Sequence, residues 1–115
     1  MDENNFWEIE EMFWLGDVKY YEQHLSDNSW MVFALPLGIL DRNQIITNLS
    51  QGPRWESVIL SQRKFQIIEN NVLMLSYHAT AERKDLDGPY KAFCSSGYRI
   101  NDKNWWLFFH QQTPV

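Results

Sequence analysis

His110 is the residue best suited to chemistry, since an imidazole titrates near neutral pH and can accept or donate a proton. It follows Trp106 and Phe108 at alternate positions of a C-terminal apolar run. In a strand these three side chains share one face, where burial and neighbours could tune the pKa of a general base. A core histidine that hydrogen-bonds a backbone carbonyl is the competing interpretation, and the sequence leaves both open.

Five further residues could contribute to a binding site. Arg54, beside Trp55, could clamp a ligand carboxylate or form an ion pair near a rim. Tyr77 and Tyr98 could offer hydroxyl groups inside an aromatic cavity, although core packing explains them equally well. Gln112 could fix a polar group of a ligand or pair with the backbone.

Metal and cofactor chemistry has little support in the residue pattern. Cys94 is the single cysteine, which excludes an internal disulfide and indicates a buried, inert thiol. His24, His78 and His110 are too widely spaced for a typical metal site. No glycine-rich phosphate loop is present. The sequence therefore predicts neither a metal nor a cofactor.

Composition limits the class of protein. The chain has 115 residues, of which 44% are hydrophobic and 16% aromatic, so we expect one folded domain spanning 1–115. The net charge of −5, without a basic stripe, argues against nucleic acid and an anionic membrane surface as partners. An acidic N-terminal segment and the lack of an apolar run of about 20 residues predict a soluble, cytoplasmic protein.

Three helices are predicted in the first half of the chain. The first covers residues 5–15 and the second residues 18–25. The third begins at Asp41, which has the capping-box spacing to Gln44, and ends at Gly52. The acidic side of the first helix is expected to face solvent; its members are Glu8, Glu10 and Glu11.

Strand signals dominate the second half. A turn at residues 26–28 and a short strand at 30–35 precede the third helix. After it come four long β runs separated by hairpin signals: 55–68, 72–83, 90–100 and 105–112. Helices followed by consecutive hairpin-linked strands predict an α+β fold with an antiparallel meander.

The last run carries apolar groups on both faces. Strict alternation separates Trp105, Leu107, Phe109 and Gln111 from Trp106, Phe108, His110 and Gln112. Three helices on one side of a sheet cannot cover both faces. A second copy of the chain is the simplest cover for the other face, which predicts a homodimer. Cover by an edge or a long loop is the alternative.

The element order and several short motifs together resemble the nuclear-transport-factor-two-like superfamily, which includes SnoaL-like cyclases and ketosteroid isomerases. The resemblance spans nearly the whole chain and is closest to a small uncharacterised SnoaL-like branch. The more specific motifs are Pro53-Arg54-Trp55 and the terminal His110-Gln111-Gln112-Thr113-Pro114; Gly16-Asp17 is common in the superfamily.

The resemblance implies a curved antiparallel sheet wrapped around three N-terminal helices into a cone, as in cystatin-like and SnoaL-like folds. Such cones often hold a small apolar molecule, and two sheets commonly pair back to back. The superfamily's known catalytic groups have no counterpart here. Leu35 takes the place of the isomerase carboxylate, Ile9 takes the place of the helix-one tyrosine, and the last two β runs hold no Asp or Glu.

The leading interpretation is a dimeric domain that binds a small apolar or aromatic molecule without a demonstrated reaction. The expected ligand-binding residues are Arg54, Trp55, Tyr77, Cys94, Tyr98, His110 and Gln112. One alternative is an isomerase, hydratase or cyclase-like enzyme that uses His110 as general base with a tyrosine hydroxyl as electrophile. Another is an assembly domain whose own side chains fill the cone.

Overall fold

Three helices pack on the concave face of one six-stranded sheet in the computed structural model, which describes residues 2–115. The elements are α1 (Glu3–Leu15), α2 (Val18–His24), β1 (Leu25–Val32), β2 (Ile39–Asp41), α3 (Arg42–Gln51), β3 (Ser57–Glu69), β4 (Val72–Glu82), β5 (Tyr90–Asn101) and β6 (Asn104–Pro114). The α+β class and the cone of sheet around helices match the prediction. Within residues 2–115 no helix is long and apolar enough to cross a membrane.

The helices begin at side-chain caps. Asp2 caps α1, because its carboxylate accepts a hydrogen bond from the Asn4 backbone amide. Asp41 and Gln44 form the predicted capping box of α3, with both reciprocal hydrogen bonds present. The boundaries of all three helices lie within two residues of the predicted ones.

The sheet has the order β2-β1-β6-β5-β4-β3. Strands β3 to β6 form the predicted antiparallel meander. The predicted turn at 26–28 is wrong, because those residues belong to β1, and the predicted strand 30–35 stops at Val32. Strand β1 pairs in parallel with β6, so the complete sheet is mixed rather than purely antiparallel.

A bulge in β6 changes which side chains share a face. Gly97 pairs with Phe109 and Tyr98 with Leu107, so Phe108 has no partner across the ladder. This extra residue reverses the alternation, and both Leu107 and His110 become buried on the concave face. The predicted separation of these two residues onto opposite faces is therefore wrong.

The core lies between α1 and the concave face. Alternate residues of β4 are fully buried there, including Leu73, Leu75 and Tyr77. Phe6 of α1 packs edge-on against Tyr98 and Trp105, and Phe13 packs edge-on against Trp105 and at a tilt against Tyr98. Apolar burial of this extent is the main source of stability in a domain of this size.

Candidate functional site: a cavity with a polar floor

A cavity of about 540 Å³ lies between α1, α3 and the end of the sheet formed by β1 and β6. Its walls are mainly apolar and include Met31, Phe33, Leu40, Ile45, Leu49 and Leu107. Polar side chains enter it at only a few places: Glu10, Arg54, Arg83, His110 and Gln112 are the main ones. An apolar pocket with a few converging polar groups has the usual character of a small-molecule site.

Glu10 reaches the centre of the core from α1. The carboxylate is 1% exposed and accepts hydrogen bonds from three hydroxyl groups. Tyr98 donates to Oε1, while Tyr77 and Ser96 donate to Oε2, the latter at 2.6 Å. Three charge-assisted hydrogen bonds compensate much of the cost of burying the carboxylate.

The predicted exposure of Glu10 is wrong, although Glu8 is indeed exposed. The sequence contains a signal for this. Glu10 stands four residues after Phe6 and three before Phe13, so it lies on the apolar face of α1. Because glutamate is rarely buried, its residue type favoured an exposed position for Glu10 despite this spacing.

His110 is connected to Glu10 through Ser96. The Nδ1 atom of His110 lies 2.6 Å from the Ser96 hydroxyl and 3.6 Å from Glu10 Oε2. On the other side of the ring, Nε2 lies 3.1 Å from the amide nitrogen of Gln112. The Gln112 oxygen in turn accepts a hydrogen bond of 2.8 Å from Tyr90. A continuous hydrogen-bonded chain therefore runs from the core carboxylate to the cavity wall.

The surroundings shift the titration of several of these groups. Burial lowers the pKa of His110 below 6.5, and the nearby Glu10 carboxylate opposes this effect. Burial, followed by the negative charge of Glu10, raises the pKa of Tyr77 and of Tyr98 well above 10.0. His110 is thus favoured in its neutral form, and both phenols remain protonated hydrogen-bond donors.

The seven sequence-predicted site residues divide into two groups. Trp55, His110, Gln112 and Arg54 line the cavity. Tyr77, Cys94 and Tyr98 are buried on the concave face but do not line it. Burial raises the pKa of the Cys94 thiol to about 12, in agreement with an inert side chain.

Arg54 binds the end of a helix in this structure. Its Nε donates to the Gly16 carbonyl at 2.7 Å, and one Nη donates to the carbonyls of Phe13 and Trp14 at 2.9 and 2.6 Å. These carbonyls lie at the C-terminus of α1, where a cation is favoured by the helix dipole. The guanidinium is therefore engaged by the protein itself.

An aromatic stack forms one side of the cavity mouth. Trp55 stacks on Tyr90 with 5.2 Å between ring centroids, and Trp14 packs against both rings. The Arg83 guanidinium lies 4.5 Å from the Trp55 ring centroid and also bonds Asp85 through two nitrogens. Arg83 and Tyr90 were not predicted as site residues, because nothing in their local sequence distinguishes them. Within residues 2–115 no group of three or more His, Cys, Asp or Glu has metal-site geometry.

Comparison with solved structures identifies the architecture. An NTF2-like protein of unknown function in nutrient uptake from Rhodospirillum rubrum superposes with a TM-score of 0.82 at 16% identity, covering 99% of both chains. The chain has the NTF2-like fold. No protein-family model matches it, and neither does any curated protein sequence.

Two further structures with this fold have more specific names. One, from Parabacteroides distasonis, is named as a candidate ketosteroid isomerase (TM-score 0.76, 16% identity, 93% of this chain and 82% of that one). The other, from Exiguobacterium sibiricum, is named as a candidate Ca/calmodulin-dependent kinase II association domain (TM-score 0.79, 15% identity, 98% and 91%). These likenesses establish the NTF2-like fold and leave the function of this chain to be argued from its own residues.

Proposed function

We propose that residues 1–115 form one domain that binds a small, mainly apolar or aromatic molecule in the cavity. The observation that carries this proposal is the unfilled volume of about 540 Å³, which has apolar walls and a polar floor formed by Glu10, His110 and Gln112. Trp55, His110 and Gln112 contact the ligand. Tyr77, Cys94 and Tyr98 support that floor from the core, and Arg54 holds the end of α1 at the rim.

Naphthalene is a suitable first probe because it is apolar, aromatic and well below the cavity in volume. Isothermal titration calorimetry should detect its binding to the purified chain. Leu49→Trp, on the cavity wall, should abolish binding by filling the space. Thr47→Trp is the matched control, since Thr47 is exposed on the same helix and does not line the cavity. Equal binding by both variants would contradict the proposed location.

The second part of the proposal is a homodimer formed through the convex face of the sheet. Trp30, Phe109, Gly97 and Met74 occupy laterally paired positions across β1, β6, β5 and β4. Trp30 and Met74 are 55% and 46% exposed, so an apolar row crosses the sheet without a covering helix. A twofold-related copy presents the same row and can cover it. The association-domain name of the Exiguobacterium neighbour points in the same direction.

Light scattering at micromolar concentration tests the dimer. The expected mass is twice the 13.8 kDa of the chain. Met74→Lys should yield monomer, because it places a charge in the apolar row. Met12→Lys is the control, since Met12 has almost the same exposure, 44%, but lies on α1. A wild-type mass of 13.8 kDa would refute the dimer and leave the binding site unaffected.

A second candidate function, proton transfer, is favoured by the contacts of His110. Its Nδ1 side is held by Ser96, which is bonded to Glu10, and its Nε2 side faces Gln112 on the cavity wall. A neutral histidine oriented by a carboxylate-linked partner is suited to act as general base. It would remove a proton from a carbon next to a carbonyl and return it to the same or a conjugated carbon, as in an isomerase.

Deuterium uptake tests this second candidate. The α-carbon of 2-tetralone exchanges its hydrogen for deuterium only after proton abstraction, and NMR in D₂O follows the reaction. Catalysed exchange by the wild-type chain should be lost in His110→Ala and kept in His78→Ala, because His78 lies in β4 and does not line the cavity. An exchange rate equal to that of buffer would remove the proposal.

A further inference from the structure

We infer that the cavity selects a neutral molecule in which an apolar body carries one hydrogen-bond donor, such as a hydroxyl group, and that Nε2 of His110 accepts this hydrogen bond. The inference is based on a chain of hydrogen bonds that runs from Glu10 through Ser96, His110 and Gln112 to Tyr90. The inference rests on the proposed binding function and specifies its ligand class.

The inner end of this chain fixes the direction of its hydrogen bonds. A carboxylate only accepts hydrogen bonds, so the Ser96 hydroxyl directs its hydrogen toward Glu10 Oε2 at 2.6 Å. The Ser96 oxygen is then an acceptor toward His110 Nδ1, also at 2.6 Å. The neutral imidazole consequently carries its hydrogen on Nδ1, which leaves Nε2 as an acceptor.

The outer end of the chain leads independently to the same assignment. The hydroxyl of Tyr90 donates to Oε1 of Gln112, which places the NH₂ group of that amide toward His110. An NH₂ group can only donate, and therefore Nε2 must accept. Agreement between the two ends assigns one tautomer of His110.

Gln112 holds the place that a ligand donor would take. It lines the cavity and is only partly buried, whereas Ser96 on the other side of the ring is fully buried. A ligand hydroxyl can replace the Gln112 amide at Nε2 without disturbing Ser96 or Glu10. The rings of Trp14 and Phe33, each with its centroid a little over 6 Å from that of His110, border this position with apolar surface.

The groups closest to His110, and the engagement of the nearby arginines, disfavour an anionic ligand. The Glu10 carboxylate lies 3.6 Å behind Nδ1 of His110 and would repel a second carboxylate. The two arginines that line the cavity are already engaged: Arg54 with carbonyls of α1 and its following residue, and Arg83 with Asp85. Arg54 is therefore not expected to clamp a ligand carboxylate, in contrast to what the sequence suggested. We expect the cavity to disfavour carboxylates.

Three probes with the same two fused rings test the selectivity at pH 7.5 by calorimetry: 2-naphthol, 2-methoxynaphthalene and 2-naphthoate. We expect 2-naphthol to bind about tenfold more tightly than the ether, because one hydrogen bond to a buried acceptor distinguishes them. The carboxylate should bind more weakly than either. His110→Phe should reduce the preference for the naphthol over the ether to about onefold.

Nitrogen NMR of the wild-type imidazole provides a readout that needs no variant. It should show hydrogen on Nδ1 in the free protein and a shift of the Nε2 signal on addition of 2-naphthol. Equal affinities for naphthol and ether, a preference for 2-naphthoate, or hydrogen on Nε2 would overturn the inference while the binding proposal stands. Failure of all three probes and of naphthalene to bind would overturn both.

Discussion

Ser96 Oγ lies 2.6 Å from Nδ1 of His110, at paired positions of the neighbouring strands β5 and β6. This contact exists because the bulge at Phe108 turns His110 to the concave face. It links the cavity to Glu10, a carboxylate buried beneath it.

Glu10→Gln should destabilise the fold by about 1–3 kcal/mol, since the new amide NH₂ faces hydroxyl donors and leaves buried hydrogen bonds unmade. Tyr77, Tyr98 and Ser96 all donate to this one carboxylate. Urea unfolding measures the change. Glu8→Gln, on the exposed side of the same helix, should stay within about 0.5 kcal/mol of wild type. Similar values for the two variants would contradict the role assigned to Glu10.

Stability should fall as the pH drops below about 6.5, because the native state holds His110 neutral while the unfolded chain protonates it. Burial lowers the native pKa of His110 below 6.5, so the loss begins near the unfolded value and continues to the native one. The groups that face the ring are Glu10 on α1, Ser96 on β5 and Gln112 on β6.

Unfolding curves between pH 7.5 and 4.5 measure this effect, and His110→Gln should show a shallower loss than wild type. Burial also lowers the pKa of His24, but that residue is far less buried and should contribute less. Proton NMR should place the His110 pKa below 6.5. A His110 pKa above 6.5 in the native state would disprove the assigned environment.

Arg54→Lys should destabilise the chain by about 1–3 kcal/mol, since an ammonium group cannot reproduce three hydrogen bonds from two guanidinium nitrogens to the end of α1. Arg83→Lys is the control. Arg83 pairs with the more exposed Asp85, and such surface pairs contribute about 0–1 kcal/mol. Thermal unfolding compares the two. If Lys is tolerated equally at both positions, the capping function of Arg54 is wrong.

Gly97→Ala should cost about 1 kcal/mol, because a methyl group at this position would lie 2.7 Å from the ring of Phe108. The ring lies over Gly97 on the convex face, next to the bulge. In a Phe108→Ala background the same substitution should cost almost nothing, which a double-mutant cycle measures. Additive effects of the two substitutions would mean that they do not contact each other as described.

The helices and the meander could be predicted from the sequence because their signals are local and repeated. Hydrophobic periodicity, the Asp41–Gln44 capping box and the hairpin residues between long β runs predicted three helices and a meander. The sequence also predicted His110 and Gln112 as site residues, and the structure brings these two side chains together at the cavity. The pairing of β1 with β6 was missed, because a parallel partner distant in sequence leaves no turn signal.

The arrangement of polar side chains in and around the cavity depends on tertiary structure. Strict alternation put Leu107 and His110 on opposite faces, and only the pairing with β5 revealed the extra residue at Phe108. The sequence suggested that Arg54 could bind a ligand, whereas in the folded chain its guanidinium bonds the carbonyl end of α1.

The sequence by itself determined the three helices, the four strands of the meander, their order and the richness of the chain in apolar surface, since these follow from local propensity and periodicity. The spacing of α1 already placed Glu10 on its apolar face, but tertiary structure alone decided that three hydroxyl groups share its carboxylate. Two of its donors lie 67 and 88 residues away along the chain, on strands whose closeness depends on the curvature and register of the whole sheet. Hydrogen bonds made at such separations have no periodic signature, and so no local pattern encodes them.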